Sequence, residues 1–108
     1  MEFINNAKLR GRIGHAQVST FDTDRKVITM SVATDYVQAD ADGNNIIETT
    51  WHTVRHFCSA AFDVSALTKG APVEVEGRLR NQKYTDSRNN ERLVTEILAT
   101  RLVVLQEN

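Results

Sequence analysis

The stretch WHTVRHF, residues Trp51 to Phe57, gathers the chain's one tryptophan, an arginine, a phenylalanine and two of its three histidines. On a strand, successive side chains point to opposite faces. Trp51, Thr53, Arg55 and Phe57 would then share one face, and His52, Val54, His56 and Cys58 the other. An aromatic, cationic, aromatic face can stack on flat π-systems while the guanidinium meets a phosphate, a base or an acidic neighbour. Alternation alone also admits Trp51 and Phe57 as core residues, and buried aromatics are commoner than binding platforms. Arg55 weighs against that, because it would be buried with them.

The opposite face carries metal-ligand types, but His52 and His56 would lie about 13 Å apart along a strand rising roughly 3.3 Å per residue. Zinc holds its ligands at about 2.0–2.3 Å, so the two cannot share one ion, and no metal is expected. A nucleophilic pairing of Cys58 with a histidine lacks an orienting third group and an oxyanion donor set, so no catalysis and no cofactor are expected.

These residues must be positioned by a chain of 108 residues, enough for one domain with one core (1–108). The net charge is −1, so the chain is not a general polyanion binder by bulk charge. Lys8, Arg10 and Arg12 nevertheless alternate with Leu9, Gly11 and Ile13, giving either a basic binding face or a charge-protected edge strand. The lone Cys58 cannot form an internal disulfide, the N-terminus has no signal-peptide pattern, and no apolar run approaches a membrane span. A soluble protein of a reducing compartment, the cytoplasm, is the expectation.

Five strands are predicted, over 6–18, 26–37, 46–58, 72–84 and 92–105, with a turn at Asp42–Asn44. In the fourth, Val73, Val75, Gly77 and Leu79 should point inward. Between the third and fourth strands, Ala60, Ala61, Val64 and Leu67 recur at helical spacing. Ser59 could act as N-cap and Gly70 as stop, so a short helix is expected there. The order strand, strand, strand, helix, strand, strand is that of an all-β, five-stranded OB-fold barrel. Gly11 and Gly77 fall inside strand patterns, where a barrel needs bulges or sharp coiling. A split sheet packed on one helix is the competing architecture.

The segments TTWHTVRHF (Thr49–Phe57), LTKGAPVEVEGRLRNQKYTD (Leu67–Asp86) and TEILATRLVVL (Thr95–Leu105) resemble the bacterial single-stranded DNA-binding protein family, in its order and over nearly the whole chain. The resemblance implies an OB barrel, assembled as a homotetramer or dimer, that binds single-stranded DNA without strong sequence preference in replication, recombination or repair. By position it implies base stacking on Trp51, Phe57 and Tyr84, the last standing where the family usually has tryptophan, with Tyr36 near a further aromatic position. Lys69, Arg80 and Lys83 match basic positions near the DNA backbone, and His52 matches a histidine associated with subunit assembly. From the residues themselves, Arg55, Lys8 and Arg10 join the candidate DNA contacts.

Departures from the family pattern are FCSAAF, which puts Ser59 where a basic residue is usual, and Gln82 at another basic position. The sequence ends at Asn108, directly after the predicted barrel, so the family's acidic C-terminal tail and the protein partners it recruits are not expected. Two other functions fit the same fold. One is a protein-interaction module of a replication or restart complex, docking a partner by strand addition. The other is an RNA-binding barrel resembling cold-shock domains, since stacking discriminates poorly between RNA and DNA.

Overall fold

Five runs with a two-residue alternation become five strands in the computed structural model, which describes residues 1–106. They are β1 (Ala7–Asp22), β2 (Arg25–Ala39), β3 (Asn45–Ser59), β4 (Pro72–Thr85) and β5 (Glu91–Val104). The sheet closes on itself in the order β1-β2-β3-β5-β4, as an OB barrel does. All pairs are antiparallel except β3 with β5, which run parallel. Among the described residues no helix is long and apolar enough to cross a membrane.

The core follows the two-residue period of the strands. Ile28, Met30 and Val32 of β2, Val54 of β3 and Val73 and Val75 of β4 point inward with Ile13, Ile97, Ala99 and Leu102. β5 keeps its apolar residues inside by changing phase at a bulge. Glu76 pairs with Arg101 but Gly77 with Ala99, so Thr100 is the extra residue. Ile97 and Ala99 face inward before it, Leu102 and Val104 after it, which explains why the end of β5 reads as apolar on both faces.

The expected helix at 59–68 does not form; the segment is a string of turns. Its hydrogen bonds reach back three residues, from Phe62 N–H to Ser59 O and from Leu67 N–H to Val64 O. Competing partners take the groups a helix would use. Lys26 Nζ donates to the carbonyls of Ala60 and Phe62 at 3.0 and 2.6 Å, and Asp63 Oδ1 accepts from Ser65 N–H. The segment still buries Leu67 against the core, with Phe62 and Val64 packed beside it. Gly70 adopts φ 87°, and its N–H donates to Ile13 O while Ile13 N–H donates to Ala71 O, tying the segment to β1.

Leu79 is exposed rather than inward, because β4 and β5 continue past the closed part of the barrel as a hairpin. β2 and β3 do likewise. Both hairpins turn by the same device: Asp40 Oδ1 accepts from Asp42 and Asn44 N–H, and Asp86 Oδ1 from Arg88 and Asn90 N–H.

At the β5 bulge a Cβ on Gly77 would overlap the Leu98 carbonyl and come within 2.8 Å of Ala99 Cα. Backbone cannot give way as a side-chain tip can. Gly77→Ala should therefore cost about 3 kcal/mol in urea unfolding; an unchanged midpoint would show that β4 and β5 do not approach closely there.

Candidate nucleic-acid interface

The continuous register of β2 with β3, and that of β1 with β2 on either side of a bulge between Ile13 and His15, arrange the outer face of three strands as rows. Arg12, Ala33 and Trp51 form one row; His15, Ser31 and Thr53 the next; then Gln17, Thr29 and Arg55; then Ser19, Val27 and Phe57. Trp51 and Phe57 thus stand at the two ends of one surface, about 20 Å apart along β3. Both are open to solvent, at 60% and 42% exposure, while Val54 and His56 between them are buried on the inner side. The face predicted from alternation is the outer one, and the core alternative for Trp51 and Phe57 falls.

A bulge in β1 seats Trp51. Gly14 is the extra residue between Ile13 and His15, and His15 N–H donates to Ser31 Oγ at 3.1 Å. A Cβ on Gly14 would overlap the benzo edge of the indole, lying 2.8 Å from Cη2. Trp51 sits on β3 and Gly14 on β1, so the indole leans across β2, where its row neighbour is the small Ala33. A ring leaning over the sheet keeps one face available for stacking.

Phe57 packs edge-on against Phe21, with ring centroids 5.9 Å apart and planes at 78°, and the Arg25 guanidinium lies 5.8 Å from the Phe21 ring. Phe21 was missed from sequence because β1 was expected to end at Val18. Extending the alternation of His15, Gln17 and Ser19 by one step would have found it. A recess lined by Asp24, Arg25, Phe57, Cys58 and Ser59 adjoins this end, and a smaller one, lined by His15, Gln17, Thr29, Met30, Ser31 and Thr53, lies between the aromatics.

The remaining candidates divide by face. On β4, Arg80 and Tyr84 share the outer face, and Tyr84 is exposed; Lys83 points to the other side, opposite Leu93. Arg80 Nε donates to Glu96 Oε1 at 2.7 Å and Arg55 Nε to Glu96 Oε2 at 3.3 Å, so one carboxylate on β5 joins the β3 and β4 surfaces. Tyr36 pairs with Glu48 on the β2–β3 hairpin and, by parity, occupies the face opposite Trp51. Lys69 is exposed in the turn before β4.

Lys8 and Arg10 do point outward, but into an ion-pair ladder on the β1–β4–β5 seam. Lys8 meets Glu76 at 3.3 Å, Arg10 meets Glu74 at 2.8 Å, and Arg101 bridges both glutamates at 3.0 and 3.6 Å. The guanidinium of Arg10, then that of Arg101, holds the Glu74 carboxyl below its ordinary value. In the β4–β5 turn, the Asn90 N–H and then Arg92 lower Asp86 likewise.

The His52 and His56 rings have protein partners. His52 Nε2 lies 2.8 Å from Thr34 Oγ1; His56 is buried, with Nδ1 3.0 Å from Ala99 O and its ring edge-on to Phe62. Among the described residues, no three His, Cys, Asp or Glu side chains are grouped to hold a metal ion.

The model of the single-strand binding protein family matches residues 4–105. The chain belongs to this family. Within it, the chain is 35% identical to single-stranded DNA-binding protein 1 of Xylella fastidiosa strain 9a5c, over 97% of this chain and 79% of that protein. It is 32% identical to the mitochondrial single-stranded DNA-binding protein of Danio rerio, over 97% of this chain and 78% of that one. It is 36% identical to the single-stranded DNA-binding protein of Xanthomonas axonopodis pv. citri over 94% of this chain, but spans only 58% of that relative's length. Among solved structures, the Plasmodium falciparum SSB complex with ssDNA superposes with a TM-score of 0.79 at 26% identity, covering 98% of both chains.

Two predictions follow for this family member. Gly14→Ala should push the indole off its seat, changing the emission maximum of Trp51 with at most about 1–3 kcal/mol lost in stability; an unaltered spectrum would mean the ring does not rest on Gly14. A carboxyl lowered in the folded state stabilises above its unfolded value, and that contribution is lost as pH falls through the folded value. Glu74→Gln should accordingly melt below the wild type at neutral pH, with the two curves converging below the ordinary glutamate value of 4.5. A gap that stays constant through acid pH would remove the ion pairs as its cause.

Proposed function

We propose that this protein binds single-stranded DNA without strong sequence preference, protecting it during replication, recombination or repair, and carries out no chemical step. The observation that carries the reading is the exposed outer face on which Trp51 and Phe57 stand either side of Arg55. Single strands expose base faces that a duplex hides, and an aromatic ring can stack on any of them, which accounts for sequence tolerance. The names of the relatives support the same reading.

In this reading bases stack on Trp51 and Phe57, and the strand continues to Tyr84, with Arg55 and Arg80 taking phosphates on the way. Tyr36 and Lys83, on other faces, meet the strand only where it wraps around the hairpins, and Lys69 where it passes the turn before β4. Lys8 and Arg10, already paired to glutamates, contribute long-range charge more than direct contacts. Residues 1–108 act as one OB-fold domain that assembles with copies of itself as a tetramer or dimer, His52 lying near the contact. The compartment is the bacterial cytoplasm or nucleoid.

Trp51 is the only tryptophan and reports on its own site. Oligo-dT should quench its fluorescence and duplex DNA should not. With about three phosphates neutralised, log K should fall with log salt at a slope near −2, from roughly −0.7 per phosphate. Trp51→Ala and Phe57→Ala, both at exposed positions, should each weaken binding by about 1–3 kcal/mol while leaving the fold intact; for Trp51→Ala the readout is anisotropy of labelled oligo-dT. No response to either polymer would discard the reading in favour of the protein-interaction module.

A further inference from the structure

Glu96 is the anomaly of the outer face. It points to the same side as Thr53 and Arg80, its row neighbours on β3 and β4, yet its side chain has no solvent exposure. What covers it are two guanidiniums, those of Arg55 and Arg80, themselves 30% and 29% exposed. A buried carboxylate is costly to desolvate, and a hydrophobic residue of similar volume often serves stability as well or better. Its presence therefore needs a reason other than holding the barrel closed.

The reason lies in which nitrogens it occupies. Both arginines spend Nε on Glu96, one on each carboxylate oxygen. Their terminal nitrogens make no hydrogen bond among the described residues. Each guanidinium has five N–H donors in a rigid fork, and four remain on each once Nε is used. Tethered at the inner nitrogen, the two forks cannot swing away into water, and their mutual repulsion is offset by the carboxylate between them. The unit keeps a net charge of +1.

We infer that Glu96 is the positioning residue of a phosphodiester site, in which Arg55 and Arg80 grip a backbone phosphate at the seam between the β3 aromatics and Tyr84 on β4. This rests on the single-strand-binding reading and deepens it. Charge-assisted contacts from two forks fix where the backbone crosses from one stacking surface to the other, at a point where neither strand alone supplies both donors.

Glu96→Gln tests the assignment because the two physical effects have opposite signs. Removing a negative charge beside a phosphate should tighten binding if Glu96 is only electrostatic background. Releasing the forks should weaken it. The expected result, from Trp51 quenching by oligo-dT, is about tenfold weaker binding and a salt slope shallower by roughly 0.7, the loss of one phosphate contact. In the wild type, the Nε–H resonances of Arg55 and Arg80 should shift as oligo-dT is added. Binding as tight as the wild type or tighter would overturn the assignment.

Should Glu96→Gln fail to fold, the double variant Arg55→Lys/Arg80→Lys keeps both charges and loses the Nε tether, and should bind about tenfold more weakly. Wild-type affinity in that variant would also overturn it. Failure of the wild type to bind oligo-dT would instead remove the functional reading and this site with it, an outcome distinct from wild-type binding that either variant leaves unchanged.

Discussion

Closure of the barrel through β1 is the constraint on which the rest depends. One strand must pair with β4 over Ala7–Arg12 and with β2 over Arg12–Asp22, so it serves two neighbours and must bend between them. Arg12 is the shared residue, opposite Pro72 on one side and Ala33 on the other. Glycine makes the bend: a Cβ on Gly11 would overlap the Ala33 carbonyl, and Gly14 is the bulged residue two steps beyond Arg12. Pro72 opens β4 with no N–H to donate, at a strand end where a missing donor is tolerated.

The same bend builds the candidate site. Gly14 is the bulged residue of β1, and its lack of a Cβ is what lets the Trp51 indole lie across β2 instead of standing away from the sheet. Architecture and the proposed stacking surface are thus coupled through one residue, and that surface is held by sheet backbone, with no mobile loop needed to position it. A surface fixed in this way loses little entropy when a base lands on it.

Much of this was legible in the sequence because strands advertise themselves by alternation. The faces of β3, the inward set of β2 and the basic row of β1 all follow from parity. Parity fails wherever a strand bulges or outruns the barrel. Thr100 shifts the phase of β5, and Leu79 keeps its parity but lies beyond the closed part. The false helix has a different origin. Its apolar spacing was genuine, but the carbonyls it needed were taken by Lys26, a residue 34 positions from Ala60, and no local pattern announces so distant a donor. Glu96 escaped notice for the same reason. Its partners come from β3 and β4, so its importance arises only when three strands are brought side by side.

Charge placement then bears on how a protein of net charge −1 can present the proposed binding face. Glutamates 74 and 76 pair with Lys8, Arg10 and Arg101 along one seam, three cations against two carboxylates, so most of the charge there is spent locally. Arg55 and Arg80 share one carboxylate between two cations, so positive charge survives beside the aromatics. Long-range attraction of a polyanion is correspondingly weak, and affinity must come from short-range stacking, worth about 1–3 kcal/mol per base. Duplex DNA, which offers phosphates but hides its base faces, gains only the weaker part of that interaction. Discrimination for single strands therefore increases as the bulk charge of the protein falls, at the cost of a slower electrostatically steered encounter.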